Sequence, residues 1–277
     1  MVTAFVADFN VAKPGALHSP KLSTAELLYG AATRLGLQPV WITPDGVFAV
    51  TINWREMYIN FARSPLNSDN SVSLAKDKYI ARLILERHGI TNIPFARPQS
   101  YAQAETFLAR HGAIIAKPVA GSGASDIHHV TQASQLEGLN VQNYILEKYI
   151  AGQEMRYLVL DGSVIGMYHS EYGVSVASDR PLQCISYPED AWDDALVALS
   201  SQIARALDLT FAAVDYLVDD DGHAHVLEVN TMPDLKWFHS PTSGPAVDAA
   251  GRFMHAILAA NQPVMPEHLL TAKVRSS

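Results

Sequence analysis

The sequence predicts a mixed α/β or α+β chain, because strand-like and helix-like stretches alternate along most of its length. Apolar residues recur at helical spacing in several segments that stop at glycine. Short β-branched and aromatic runs lie between them, separated by Asp-Gly and Pro-Asp-Gly turns. The 277 residues are 48% hydrophobic and 17% charged, enough for one large domain or two to three small lobes.

In chain order, "TAFVADF" reads as a first strand. "LSTAELLYGAATRLG" reads as a helix: Ser23 and Glu26 have capping-box spacing, Leu28, Ala31, Ala32 and Leu35 share a face, and Gly36 ends it. "QPVWIT" and "VFAVTI" read as strands around the turn at Pro44 to Gly46. The polar stretch 62–71 marks a lobe boundary. One helix is expected over "AKDKYIARLILERHG", with Ile80, Leu83, Ile84 and Arg87 at helical spacing and Gly89 as its stop. "SYAQAETFLARHG" is a further helix, "AIIAKPV" a strand, and "AGSGASD" a loop of small residues. "YILEKYI", "EMRYLVL" and "SVIGMYH" are strands, the last two joined by Asp161 and Gly162. A helix after Pro188 turns Leu196, Leu199, Ile203 and Leu207 inward. "FAAVDYLV" and "HAHVLEV" form a hairpin across "DDDG", a last helix spans about 246–258, and the remainder is a tail.

The net charge of −8, with no Lys/Arg run, argues against nucleic acid or an anionic membrane as the main partner. No apolar run reaches membrane-spanning length and the N-terminus lacks a signal-peptide pattern, so a reducing, cytoplasmic setting is expected. The single cysteine, Cys184, permits no internal disulfide and reads as a small core residue.

The second hairpin carries the strongest chemical signal. Glu228 interrupts the apolar run Val226, Leu227, Val229, and Asn230 lies on its face two residues on. Antiparallel pairing about "DDDG" places Asp215 opposite or diagonal to Glu228. Two acids in an apolar sheet repel unless one is protonated, a cation lies between them, or arginine or backbone amides satisfy them. With the amide oxygen of Asn230, the set suits magnesium; the acid-pair reading stays open beside it. Lys117 ends an apolar strand before the glycine-bearing loop Gly121, Ser122, Gly123, an arrangement suited to phosphate or to a plain hairpin connection. Neither a P-loop nor a dinucleotide fingerprint is present. Glu147, Lys148 and Glu154 read either as edge-strand charges or as nucleotide contacts.

Four stretches in this order, "AKDKYIARLILERHGITNIP", "AIIAKPVAGSGASDI", "YILEKYIAGQEMRYLVLDGSVIG" and "FAAVDYLVDDDGHAHVLEVNTMPDLK", resemble the ATP-grasp superfamily. They are most similar to its carboxylate–amine ligases: D-alanine ligases, glutathione and cyanophycin synthetases and ribosomal-protein glutamate ligases. The resemblance implies an α+β ATP-grasp fold whose two lobes, 71–150 and 151–277, clasp ATP behind a short N-terminal α/β lobe, 1–70. It implies that Lys78 and Lys117 contact phosphates beneath the loop Gly121, Ser122, Gly123. Glu147, Lys148, Ile150 and Glu154 would contact adenine and ribose. Asp215, Glu228 and Asn230 would hold two Mg2+ ions, with Mn2+ as the alternative. Arg156, Lys117 and Arg180 would serve catalysis. The implied reaction joins an amino-acid or peptide carboxylate to an amine through an acyl phosphate. An ATP-grasp kinase and an inactive ATP-binding regulatory module are the alternatives. The partners implied are ATP and small amino-acid or peptide substrates, with no nucleic acid or membrane, and a homodimer.

The chain departs from the family at His169, which stands near a usual arginine, with Arg180 as a substitute cation. It also departs at Asp126, an acid in the phosphate loop, and at "DLKWFHSPTSG", where Lys236, Trp237 and His239 would shape the substrate site.

Overall fold

The computed structural model describes residues 22–44, 46–121, 126–170 and 183–261. The expected first strand, Asp45, Ser122, Gly123, Arg180 and the tail beyond 261 lie outside them.

Helix α1 (Thr24–Arg34) forms as its caps dictate: the Ser23 hydroxyl accepts from the Glu26 N–H, and the Glu26 carboxylate accepts from the Ser23 N–H at 2.7 Å. It buries Leu28, Ala31 and Ala32 against a three-stranded sheet of β1 (Val40–Trp41), β2 (Val47–Ile52) and β3 (Arg55–Asn60), in the order β1-β2-β3. Strand β3 escaped the sequence reading, because only Ile59 in "REMYIN" is buried and the alternation carries little signal. Its turn, Asn53-Trp54, has φ of 50° and 64°, the left-handed pair that a tight hairpin needs.

The helix expected over 75–89 is two helices, α2 (Asp69–Lys76) and α3 (Lys78–Arg87). The break is Asp77, whose extended backbone pairs with Ala120 while its side chain accepts from the Ile80 N–H as the cap of α3. The start of α2 falls inside the stretch expected to be irregular. The inward face of α3 also differs from expectation. Ala81, Arg82 and Leu85 are buried, whereas Leu83 is exposed. An arginine displaces leucine from the interior because its head group finds a buried partner there, as described below.

Next come β4 (Phe95–Ala96), α4 (Tyr101–His111), β5 (Ile114–Pro118), β6 (His128–Val130) and β7 (Tyr144–Lys148). These strands form a sheet of order β4-β7-β5-β6, covered by α4. Strands β8 (Gln153–Leu160), β9 (Ser163–Ser170), β10 (Cys184–Ser186), β11 (Phe211–Val218) and β12 (Ala224–Asn230) form a second sheet, ordered β10-β9-β8-β11-β12. Asp161 and Gly162, at φ 50° and 72°, make the expected turn between β8 and β9. Among the described residues every strand pairs antiparallel, which selects α+β over α/β.

The five-stranded sheet is buried on both faces. One face packs Leu158, Leu160, Phe211 and Ala213 against α1, β2, β3 and the helices α6 (Lys236–His239) and α7 (Ala249–Ala260). The other packs Tyr157, Val159, Val214 and Tyr216 against α2, α3 and α5 (Asp194–Ala206). Double coverage explains why β8 and β11 read as continuous apolar runs. It also places α2 and α3 in the core of the five-stranded sheet, away from the four-stranded sheet that follows them in the chain. Cys184 is fully buried, and burial pushes its thiol up to about 12, as befits a core residue. Among the described residues no helix is long and apolar enough to cross a membrane.

Phe253 of α7 is fully buried in the core that joins the N-terminal sheet to the five-stranded sheet. Phe253→Ala is expected to lower unfolding stability by about 3–5 kcal/mol, read from urea denaturation.

Candidate functional site

The register of the five-stranded sheet brings its charged residues together. Asp215 on β11 lies opposite Glu228 of β12 on one side and opposite Arg156 of β8 on the other. A bulge follows Asp215, so that Tyr216 pairs with Val226. Arg156 clasps Asp215 with both arms of its fork: Nε donates to Oδ1 at 2.6 Å and Nη2 to Oδ2 at 2.7 Å. Burial works against the Arg156 charge, but Asp215 outweighs it and raises the guanidinium further above its usual range. Of the readings left open for the acids, the structure contains the arginine pairing at Asp215. The oxygens of Glu228 and Asn230 lie on the same side of the sheet, and both residues line a cleft of about 490 Å³. Asn230 Oδ1 also accepts from the Met232 N–H at 2.9 Å.

Behind this cleft sits a buried ionic triad. Glu147 of β7 accepts from Arg82 Nη2 at 2.8 Å on one oxygen, and Lys117 Nζ of β5 stands 2.8 Å from the other. The cations also reach β12: Arg82 donates to the carbonyls of Val226 at 2.6 Å and Leu227 at 2.8 Å, and Lys117 to Leu227 at 3.3 Å. All three side chains are at most 6% exposed. Burial alone would raise the Glu147 carboxyl, yet Arg82 and Lys117 hold it below its ordinary value. Arg82 was missed from the sequence because no pattern of spacing announces a buried arginine.

Lys78 opens α3 and lines the cleft; its Nζ donates to the Gly121 carbonyl at 3.0 Å. Burial lowers its pKa, and neighbouring Lys117 adds to the effect. Of the residues singled out in the sequence, Lys78, Gly121, Arg156, Glu228 and Asn230 line the cleft. Lys117, Glu147 and Asp215 lie buried behind it. Lys148, Ile150 and Glu154 stand where β7 leaves one sheet and β8 enters the other; the N–H of Lys148 donates to the Pro94 carbonyl. Asp126 is held by Tyr144 and His128, and the Tyr144 hydrogen bond, the largest cause, lowers its pKa. His169 is directed elsewhere: its Nδ1 is 2.8 Å from the Tyr187 hydroxyl, in a second cleft on the α5 side of the sheet. His239 accepts from the Ala250 N–H, a structural contact.

The cleft also holds residues not foreseen, among them Arg63, Lys76 and Asp234. Asp234 Oδ1 accepts from the Thr24 hydroxyl at 2.8 Å and from the Lys236 N–H at 3.1 Å, and Lys236 Nζ is 2.8 Å from Oδ2. Thr24 belongs to α1, so no local spacing connects it with Asp234.

Comparison with known proteins bears on this geometry. Residues 75–257 match the family model of the RimK-like ATP-grasp domain. Over 185 residues the chain is 28% identical to a D-alanine–D-alanine ligase of Gloeobacter violaceus, covering 59% of this chain and 61% of that relative. Among solved structures, the ATP-grasp ligase PsnB with a minimal precursor superposes with a TM-score of 0.59 at 20% identity, over 71% of this chain and 63% of the other. A bifunctional glutathione synthetase from Pasteurella multocida superposes with a TM-score of 0.64 at 13% identity, over 86% and 44%. At these identities the structural likenesses establish a shared fold. The chain spans about three fifths of the length of the curated relative.

Glu147→Gln leaves two buried cations short of a counter-charge, and a loss of about 3–5 kcal/mol is expected from urea denaturation. Because the folded pKa of Glu147 lies below the ordinary value of 4.5, its stabilisation is complete above that value and disappears as pH falls through the folded one. The glutamine variant should therefore show a shallower loss of stability below about pH 4.5 than the parent.

Proposed function

This chain belongs to the RimK-like ATP-grasp family, and from that premise we propose that it is an ATP-dependent carboxylate–amine ligase. The observation that carries the reading is the convergence of Lys78, Gly121, Arg156, Glu228 and Asn230 on one cleft, with Lys117 fixed immediately behind it. Such a cleft offers cations and a loop carbonyl together with hard oxygen donors. A D-alanine–D-alanine ligase among the relatives, and a solved complex of PsnB with a precursor peptide, support an amino-acid or peptide substrate.

In this reading Lys78 and Lys117 hold the phosphates of ATP, with the Gly121, Ser122, Gly123 loop over them. The triad gives Lys117 a fixed position, since Glu147 and the Leu227 carbonyl restrain its ammonium. Lys148, Ile150 and Glu154, at the crossing between the sheets, take adenine and ribose. Glu147, whose two oxygens are taken by Arg82 and Lys117, serves this site by fixing Lys117 and not by meeting the nucleotide.

Asp215, Glu228 and Asn230 suit magnesium, because all three offer oxygen donors on one side of the sheet. Arg156 uses one lone pair on each Asp215 oxygen, so a second remains on each for a metal. Two magnesium ions, with manganese as the alternative, belong to the proposal. Bound there, they supply charge neutralisation for the nucleotide's terminal phosphates.

A carboxylate oxygen of the first substrate attacks the γ-phosphorus, ADP departs, and an acyl phosphate forms. The amine then attacks the acyl carbon, the carbon–oxygen bond to phosphate breaks, an amide forms, and the amine's excess proton is released. Arg156 faces this cleft and holds the acyl phosphate or a substrate carboxylate, with Arg180 as the second cation of the proposal. Exclusion of water by the closed lobes protects the acyl phosphate from hydrolysis. A cytoplasmic setting and a homodimer complete the reading.

The assay is incubation with ATP, magnesium and amino-acid mixtures, followed by mass spectrometry. ADP together with a new amide supports the ligase, a stable phosphorylated product a kinase, and nucleotide binding without turnover a regulatory module. Glu228→Gln is expected to reduce turnover on the order of 10²-fold or more while weakening ATP binding only modestly. Turnover at the parental level in that variant overturns the metal assignment.

A further inference from the structure

We propose that Asp234 receives the ammonium group of the amine substrate and so decides that a free amine enters this cleft. The inference rests on the ligase reading above and names the group that recognises one of its substrates. Among the described residues five cations line the cleft, Arg63, Lys76, Lys78, Arg82 and Arg156, against two acids, Glu228 and Asp234. The cations suit phosphates and carboxylates but repel an ammonium group, so an amine needs an acid of its own. Glu228 stands opposite Asp215 among the metal donors. Asp234 is six residues further on, beyond the end of β12, and belongs to no metal set.

The carboxylate of Asp234 is anchored on one side and open on the other. Oδ1 takes two donors, the Thr24 hydroxyl and the Lys236 N–H, and Oδ2 takes one, Lys236 Nζ. A carboxylate has about four acceptor sites, so one remains, on an oxygen of a side chain that is 39% exposed. Thr24 is itself fixed, because its hydroxyl also accepts from the Leu235 N–H at 2.9 Å. The group is thus held between α1 and the loop after β12, where a ligand meets a preset carboxylate. Burial raises the Asp234 pKa, but Lys236 and Thr24 outweigh it and keep the side chain ionised at neutral pH. The Lys236 ammonium already demonstrates the pairing: its side chain is 36% exposed, so this ion pair is wet and yields readily to a substrate amine.

The test uses the full chain with ATP and magnesium. Over a fixed background of mixed N-acetyl amino acids, which offer carboxylates but no amine, ADP release is measured with the carboxamide of each of the twenty common amino acids, which offers an amine but no α-carboxylate, and with the N-acetyl derivative of that carboxamide. Free amines are expected to stimulate release and N-acetyl forms are not. In Asp234→Asn the KM for the stimulating amine should rise by roughly tenfold or more, the scale of a lost charge-assisted hydrogen bond, while the KM for ATP changes less than about twofold. Asp234→Glu, which keeps the charge, should recover part of the loss. Thr24→Val removes the buttress but keeps the carboxylate, and should shift the melting temperature more than the amine KM. Equal stimulation by N-acetyl forms, an unchanged amine KM in Asp234→Asn, or no stimulation by any amine overturns the proposal. Calorimetric binding of magnesium and a non-hydrolysable ATP analogue to the unmodified protein separates this failure from failure of the ATP-grasp ligase reading, which predicts that binding whether or not Asp234 meets an amine.

Discussion

Glu147 carries a charge at 2% exposure, and the relation between the two sheets depends on how that charge is met. An isolated buried carboxylate would cost several kcal/mol or take up a proton. Here it is shared by Arg82 from α3 and Lys117 from β5, and both cations continue to the carbonyls of Val226 and Leu227 on β12. One carboxylate therefore ties the four-stranded sheet, a helix of the other core and the edge of the five-stranded sheet. The parallel bridge between Asn92 and Val226 lies at the same junction, and the Asn92 side chain bonds Arg82 in both directions.

The cleft inherits its chemistry from that junction. Val226 to Asn230 run along its floor, so the strand that receives Arg82 and Lys117 through its carbonyls presents Glu228 and Asn230 through its side chains. The bulge after Asp215 compensates for the extra residue on β12 and keeps Asp215 level with Glu228. Arg156 neutralises Asp215, so the sheet tolerates two carboxylates on adjoining strands. On the opposite wall, the break at Asp77 aims the N-terminus of α3, and with it Lys78, at Gly121. A helix continuous through position 77 would point that lysine elsewhere.

Much of this was legible in the linear chain. The Ser23–Glu26 cap, the Asp161-Gly162 turn and the hairpin across "DDDG" all rest on interactions between residues close in sequence, and they appear where the spacing places them. The turn brings Asp215 near Glu228, but its register alone would set Asp215 opposite Leu227, and the bulge after Asp215 brings it level with Glu228. Three features were not legible for related reasons. The apolar spacing of 80, 83 and 84 placed Ile84 against the core but put Leu83 inward where it is exposed, because Arg82 takes the interior, stabilised by a residue 65 positions away. The helix broke at Asp77 because of a bridge to Ala120. Strand β3 has too few buried positions to show a period, and forms because β2 offers it a partner.

The sequence by itself determined the local elements, the antiparallel hairpin that carries the acids, and the family to which the arrangement of motifs points. Those are set by turn chemistry, capping and side-chain period, each acting within about a dozen residues. Tertiary structure alone decided that Arg156 clasps Asp215, that Arg82 and Lys117 share Glu147, and that Thr24 braces Asp234 from 210 residues away. Charged side chains buried at a junction carry no periodic signature, since what makes them tolerable is a partner that only folding brings within reach.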